Sequence, residues 1–501
     1  MQCVRFAIFW APPINLHLPS RTRATAFDRR MRLHPLVACV ALAFSTGTPG
    51  AGSDASAQSP LSAVGGRHAT HFARPALNVA STVTRFVKTC DDPLPLPSTC
   101  EESVDNTVHT VQTVRQGLLC GNNGDAVDLT QLTCSKITLS APLVAGPGSI
   151  ALYGPGQDKL TIDATGKFRA LVHNAGEYYG LYVSDLTIAN GRYDSPLTFA
   201  TGGCISSNGN VFVSDSAVSS CYVSSSVYAQ GGGIFASGTV SLYRSSVTGS
   251  TAHGNAGGNA SGGGIAANYL ELNMSTVSGN TASYTGTGRA VGGGVSVYSV
   301  RAGSSTISGN GAATAKGGID AEYANLFNST VSGNHADHGP VGGVYAGFKA
   351  QIFNCTITAN TGKGAFASGL YGGFASTPES ILQSTIIAGN TASGVELDVG
   401  SLFGLPIFGS NNLIRSSQDG NRVPFDTIVE DPLLGPLQDN GGPTRTQALL
   451  PGSPAIDNGK VSPGASFDQR GRGFPRVVGI KPDIGAVEFD PDHIFGNGFN
   501  L

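Results

Sequence analysis

Two short blocks alternate through the middle of this chain, and they restrict its fold more than any other feature. The first is glycine-rich: Gly231 to Ile234 reads GGGI, Gly262 to Ile265 repeats it, and the theme returns as GGGV at Gly292, GGI at Gly317, GGV at Gly342 and GGF at Gly372. The second block resembles STVSGN and follows the first each time. Counting two earlier copies, its apolar anchors are Ile188, Val218, Val247, Val277, Ile307, Val331, Ile357 and Ile387. Successive anchors are 24 to 30 residues apart, so the intervening segment changes length while the blocks persist. Stacked repeats behave this way, because loops vary freely and the stacking elements do not.

Counting back from each anchor gives two further apolar columns. Five positions before it stand Val183, Val213, Leu242, Leu272, Ala302, Leu326, Ile352 and Leu382, and seven before it Leu181, Val211, Val240, Leu270, Val300, Ala324, Ala350 and Ser380. The column between them is mixed: Tyr182, Phe212, Ser241, Glu271, Arg301, Asn325, Gln351 and Ile381. Apolar residues two apart describe a strand with one buried face, which turns the mixed column outward. A helical repeat is excluded, since no window keeps apolar residues at i, i+3 and i+4 without Gly or β-branched interruptions. The expected fold is all-β, a right-handed single-stranded parallel β-helix whose coils stack ~4.8 Å apart. Paired glycines are expected at its tight corners.

Three residues after the later anchors come Asn280, Asn310, Asn334, Asn360 and Asn390, with Cys221 and Ser250 at the same place in earlier coils. Amides stacked in register can hydrogen-bond along the axis and satisfy turn backbone, so these asparagines are expected to form a structural ladder rather than a reactive set.

The 501 residues include 69 Gly and one Trp, and only 13% are charged, which fits neither a helical bundle nor a charged disordered tail. With a net charge of −3 and no Lys/Arg cluster, the chain lacks the electrostatic footprint of a nucleic-acid binder. Residues 1–57 read as a leader with Met31 as its start: Met31-Arg32, then the apolar run Leu36 to Phe44, then Ala55-Ser56-Ala57 as a cleavage site. No later stretch reaches the ~20 apolar residues of a membrane helix. The order then expected is a linker over 58–85, a disulfide-containing cap over 86–160, the β-helix over 161–400, a β-rich C-terminal region over 401–489 and a tail over 490–501. In an exported chain Cys90, Cys100, Cys120 and Cys134 favour disulfides over metal. Of the three connectivities, Cys90 to Cys100 with Cys120 to Cys134 is the one expected.

The paired GGGI and VSGN blocks resemble the parallel β-helix repeats of exported bacterial surface proteins, and also the GGAI and FxxN repeats of polymorphic outer-membrane proteins. Asp128 to Leu139 (DLTQLTCSKITL), followed by LYGPGQDKLTIDA and LYVSDLTIANG, is similar to the N-terminal part of such proteins. Leu449 to Gly459 (LLPGSPAIDNG), Asp468 to Gly471 (DQRG) and Asp483 to Glu488 (DIGAVE) resemble the choice-of-anchor Q domain. The resemblance implies an exported protein at the bacterial cell surface or outer membrane, adhesin-like or envelope-structural, with a glycan or cell-surface ligand.

Little chemistry is legible on the outer faces. Glu271 with Arg301, Lys349 with Glu379 and Asp215 with Arg244 share offsets from neighbouring anchors, and read as charge pairs that set register. Asp320 and Glu322 are different. Two apart on one strand, they share its outward face ~6.5–7 Å apart, with Tyr298 beside Glu322 and Tyr345 beside Asp320. Two carboxylates between aromatic platforms suit sugar or calcium, or an acid and a base, and they are the weak catalytic candidates. No metal site or cofactor is expected. His335 and His338 lack further ligands, and calcium is the one cation that turns such as Asp439 to Gly442 could take. No phosphate loop or GxSxG motif occurs. The reading is a non-enzymatic surface protein, with a polysaccharide lyase or glycoside hydrolase as the alternative.

Overall fold

The apolar anchors form the midline of an 11-stranded sheet whose neighbouring strands are all parallel. Val218 lies opposite Ile188 and Val247, and the match continues anchor by anchor to Ile387. Ile137 and Ile162 extend the column before Ile188, and Ile414 extends it after Ile387. The chain is therefore an all-β parallel β-solenoid, seen in a computed structural model that describes residues 83–94, 107–372, 380–401, 406–418, 423–462 and 465–491. The expected leader lies outside the described residues, as do Cys100 and Glu379. One helix, Val114–Leu119, places Val114 and Leu118 in the main core; Thr113 caps it by accepting the Gln116 N–H.

A second, 18-stranded sheet holds the other two columns. Its register pairs Val211 with Leu181 and Val240, and Val213 with Val183 and Leu242, as the offsets require. The sheet begins as two separate ladders, which merge in the long strands Ile234–Tyr243, Ile265–Asn273, Val295–Gly303, Ile319–Phe327 and Val344–Phe353. They part again into Leu370–Gly372 and Ile381–Gln383. The mixed column faces outward, with Glu271 and Arg301 exposed, although Ser241 is buried.

The glycine blocks do turn the chain, with positive φ at Gly231, Gly262 and Gly292, and two further kinds of corner go beyond that expectation. Glycine does turn the chain two residues after most anchors, at Gly249, Gly279, Gly309, Gly333 and Gly389, all with positive φ. The corner three residues before each anchor also has positive φ, yet it is occupied by Asp185, Asp215, Arg244, Met274, Ser304, Asn328, Asn354 and Ser384. A side chain strains that conformation. Stacking compensates, because the corner N–H donates to the next coil, as Arg244 does to the Asn273 carbonyl and Met274 to that of Gly303.

The asparagine ladder is continuous and fully buried. Asn280 Oδ1 accepts the Ser250 N–H, and from Asn310 onward each amide oxygen accepts two N–H groups from the preceding coil: Asn334 Oδ1 takes the backbone N and Nδ2 of Asn310, at 3.0 and 2.9 Å. Each Nδ2 also donates backwards to an anchor carbonyl, from Asn334 to Ile307 at 3.0 Å. The last rung is not an asparagine. Asp398 Oδ1 accepts the backbone N and Nδ2 of Asn390, while its Oδ2 is buried without a hydrogen-bond partner. Burial pushes the Asp398 carboxyl up to about 7, against the pull of the Asn390 donors. Because this folded value exceeds the ordinary 3.8, its contribution to stability is complete below that value and lost as pH rises to about 7. Thermal unfolding should therefore show a melting temperature that falls between about pH 4 and pH 7 in the native chain and falls less in Asp398→Asn. Equal slopes in the two proteins would remove Asp398 as the source.

A second ladder, two residues before the anchors, was not anticipated. Ser245 N donates to Ser275 Oγ, Ser275 N to Ser305 Oγ and Ser305 N to Ser329 Oγ. Each hydroxyl donates to a carbonyl two residues back, as Ser275 does to Asn273.

The third glycine of each triplet faces the asparagine ladder. A Cβ on Gly264 would stand 2.9 Å from the Asn280 amide, and one on Gly294 would stand 2.9 Å from that of Asn310. In the earliest of these coils the glycine position is Cys204 and the asparagine position is Cys221, and the two form a disulfide. A covalent bond thus replaces a glycine–amide contact where the ladder starts. A second disulfide among the described residues corrects the expected connectivity: Cys90 joins Cys134, and Cys120 is also disulfide-bonded. Cys90 follows strand Thr84–Val87, which pairs with both Val108–Val111 and Asp125–Asp128, so sheet order rather than sequence distance selects its partner.

The C-terminal region folds back over the outer face of the 11-stranded sheet. Thr306 Oγ1 donates to the Arg445 carbonyl, Thr330 Oγ1 to Gln469 Oε1 and Asn354 Nδ2 to Ser462 Oγ, while Gly485 N donates to the Ser384 carbonyl and Asn411 Nδ2 to that of Asn458. Ile386 and Leu413 pack on Leu449, Ala455 and Ile484. The three C-terminal sequence motifs meet beneath this layer. Asp457 N donates to Asp483 Oδ1, Arg470 pairs with Asp468 at 2.6 Å, and Arg476 pairs with Glu488 at 2.8 Å. These motifs do structural work, pinning a buried ionic cluster.

Candidate functional site

Asp320 and Glu322 lie on strand Ile319–Phe327, in the middle of the merged sheet. Tyr345 is the direct neighbour of Asp320 on the next coil, as the glycine-block count requires. Tyr298 belongs to the preceding strand, whose register with this one runs Val297 to Ala321 and Ser299 to Tyr323, so it sits alongside Glu322. Both tyrosine hydroxyls are held above their ordinary value. For Tyr345 the cause is burial, then the Glu322 and Asp320 charges; for Tyr298 it is first a hydrogen bond with Tyr323.

The structure adds Lys316 to this group. Its ammonium lies 2.6 Å from Asp320 Oδ1 and 3.7 Å from the Tyr345 ring centroid, joining an ion pair to a cation–π contact. Lys316 occupies the place of the first triplet glycine and keeps its positive φ of 64°, a conformation that costs of order 1–3 kcal/mol for a side chain. The sequence signal was the substitution itself: Lys316 is the one charged residue at this position, which is glycine in the coils before it and Val341 and Ala367 in the two after it. Glu322 is positioned by a bulge. The register with Val344–Phe353 shifts between Ala321 and Tyr323, and Glu322 Oε2 fills the space a side chain at Gly347 would need.

Around this group runs a row of rings from four successive coils. Tyr269, Tyr298, Tyr323 and Phe348 have successive centroids 6.3, 5.3 and 5.9 Å apart. Tyr269, Tyr298 and Phe348 are each about half exposed, at 51%, 47% and 51%. An exposed aromatic row at the coil pitch offers repeated apolar platforms, with hydroxyl, carboxylate and ammonium groups alongside to orient a polar ligand.

Other candidates stay apart from it. Arg244 and Asp215 form an ion pair at 2.9 Å, and Glu271 lies opposite Arg301 in register. His335 is exposed and 3.9 Å from Asp337. Asp439 accepts the Gly441 N–H and Asn440 turns inward onto Thr446, which makes that segment a tight turn. Among the described residues no three His, Cys, Asp or Glu side chains gather into a group that could hold a metal ion. A cavity of about 470 Å³ lies at a different corner, lined by Asp163, Asn190, Arg192 and Tyr222. Its charges are already engaged, Arg192 by Asp194 at 2.5 Å and Asp163 by Asn190 at 2.9 Å.

No family model and no curated protein matches the chain. Among solved structures it is similar to the crystal structure of pectate lyase Pel9A, at 11% identity and a TM-score of 0.42, covering 82% of this chain and 98% of that one. That degree of likeness bears on neither activity nor substrate.

Proposed function

We propose that this is an exported, surface-exposed β-solenoid of adhesin-like or envelope-structural type, which binds glycan on its aromatic row without cleaving it. The row carries the reading, because apolar platforms and hydrogen-bonding groups recur along it through four successive coils. Disulfides Cys90–Cys134 and Cys204–Cys221 favour an oxidising compartment. No helix among the described residues is long and apolar enough to cross a membrane. The choice-of-anchor Q resemblance of the C-terminal motifs supports a place at the bacterial surface. Against cleavage stands Asp320, which is committed to Lys316, whereas an acid–base pair needs two carboxyls with separate environments.

The test pairs binding with turnover on a panel of polysaccharides, with and without calcium. Tyr298→Ala and Tyr323→Ala should each weaken binding about tenfold, a loss near 1.4 kcal/mol, while thermal unfolding stays close to native. New reducing or unsaturated ends, lost in Asp320→Ala and Glu322→Ala, would replace this reading with a carbohydrate-active enzyme.

A further inference from the structure

Resting on the glycan-binding reading, we infer that the aromatic row takes an uncharged, linear polysaccharide lying parallel to the solenoid axis, and that it discriminates against polyuronates. The direction follows from the geometry. The four rings come from consecutive coils, so the line joining them crosses the strands and runs along the stack. Centroid steps of 5.3 to 6.3 Å let successive sugar rings of an extended chain meet successive side chains.

The charge class follows from what flanks the row. A polyuronate brings a carboxylate on every sugar, and tight capture of such a chain needs cations that are repeated along it and not neutralised by the protein. Here Lys316, the ammonium at the centre, is already held by Asp320 at 2.6 Å. Arg301 stands opposite Glu271 in register. Glu322 lies beside Tyr298 in the sheet register, so its carboxylate would repel an incoming one. Counting Lys349, which is in register with Tyr323, this face carries three acids and three bases and presents no net positive field. For an uncharged sugar the same groups are useful: carboxylates accept from hydroxyls, and the ammonium and tyrosine hydroxyls donate to them.

The experiment uses the whole chain after leader removal and measures binding by calorimetry. One arm uses neutral chains, namely cello-oligosaccharides, chito-oligosaccharides and xylo-oligosaccharides; the other uses oligogalacturonate and oligoalginate. The expected result is binding in the neutral arm that changes less than about twofold between low and high salt, with at least tenfold weaker binding of every uronate. Glu322→Gln should raise uronate binding several-fold relative to neutral binding, a change of selectivity that a merely structural Glu322 would not give. Tighter uronate binding with steep loss in salt would overturn the charge class and leave the glycan reading standing. Binding of neither arm would overturn both.

Discussion

Replacing Asn334 by alanine should cost about 4 kcal/mol of stability, the largest effect expected of a single substitution in this chain. Asn334 is fully buried in the middle of the ladder, and its loss breaks four hydrogen bonds: those from the backbone N–H and Nδ2 of Asn310, that to the Ile307 carbonyl, and one of the two to Asn360 Oδ1. Asn310 Nδ2 keeps its bond to the Val277 carbonyl and Asn360 Oδ1 keeps the backbone N–H of residue 334, so the cost falls chiefly on the Asn310 backbone N–H and the Ile307 carbonyl, and each unmet buried group costs about 1–3 kcal/mol before relaxation. Urea unfolding should show a lower midpoint with the slope little changed. The exposed Asn268, whose Nδ2 donates to the Ser237 carbonyl, is the control, and Asn268→Ala should move stability by less than about 0.5 kcal/mol. A loss below about 1 kcal/mol at Asn334 would mean that water or backbone shifts replace the ladder with ease.

The second large effect concerns the start of that ladder. Cys204→Ala with Cys221→Ala should lose about 3 kcal/mol, the usual contribution of a crosslink closing a loop of this length. The double change Cys204→Gly with Cys221→Asn should recover most of it. It restores the glycine–asparagine pair used by the later coils, at a separation of 17 residues compared with 16 for Gly264 and Asn280. Gly191 N already points at the Cys204 sulfur, 3.2 Å away, and the Ile188 carbonyl lies 4.0 Å from it, so an amide at residue 221 would find a donor and an acceptor in place. If the double variant is no more stable than the alanine pair, the disulfide and the amide are not interchangeable.

What the sequence revealed and what it hid divide along a physical line. Columns at fixed offsets from an anchor are legible because backbone stacking forces residues with one role into one register, as Val183 to Leu382 and Asn280 to Asn390 do. The aromatic row was hidden by the same rule. Tyr269 and Tyr323 stand eight residues before their anchors while Tyr298 and Phe348 stand nine before theirs, so the row zigzags between columns and appears in none. The extra residue at the Gly347 bulge adds to the displacement. Lys316 was invisible as chemistry, since its pairing with Asp320 depends on a left-handed backbone that sequence does not display. Of the expected pair, Asp320 and Tyr345 are neighbours and Glu322 and Tyr298 are neighbours, but the chain alone gave no sign that Asp320 is neutralised.

The folded-back C-terminal region left one faint trace. The residue before each anchor is Thr187, Ala217, Ser246 and Thr276 in earlier coils, all part-exposed, then Thr306, Thr330, Thr356 and Ile386, all buried. No repeat marks the covering segment, so its partner could not be named from sequence.

That covering has a consequence for how the molecule comes apart. A solenoid whose coils touch only their neighbours frays from an end, one rung after another, because each step breaks a single interface. The segment from Thr444 to Gly485, with Asn458 between, is fastened across five rungs, at Ser304, Asn328, Asn354, Ser384 and Asn411. A rung beneath such a splint cannot leave alone. The later coils therefore open together or stay closed together, and piecemeal melting is confined to the earlier coils that carry no splint.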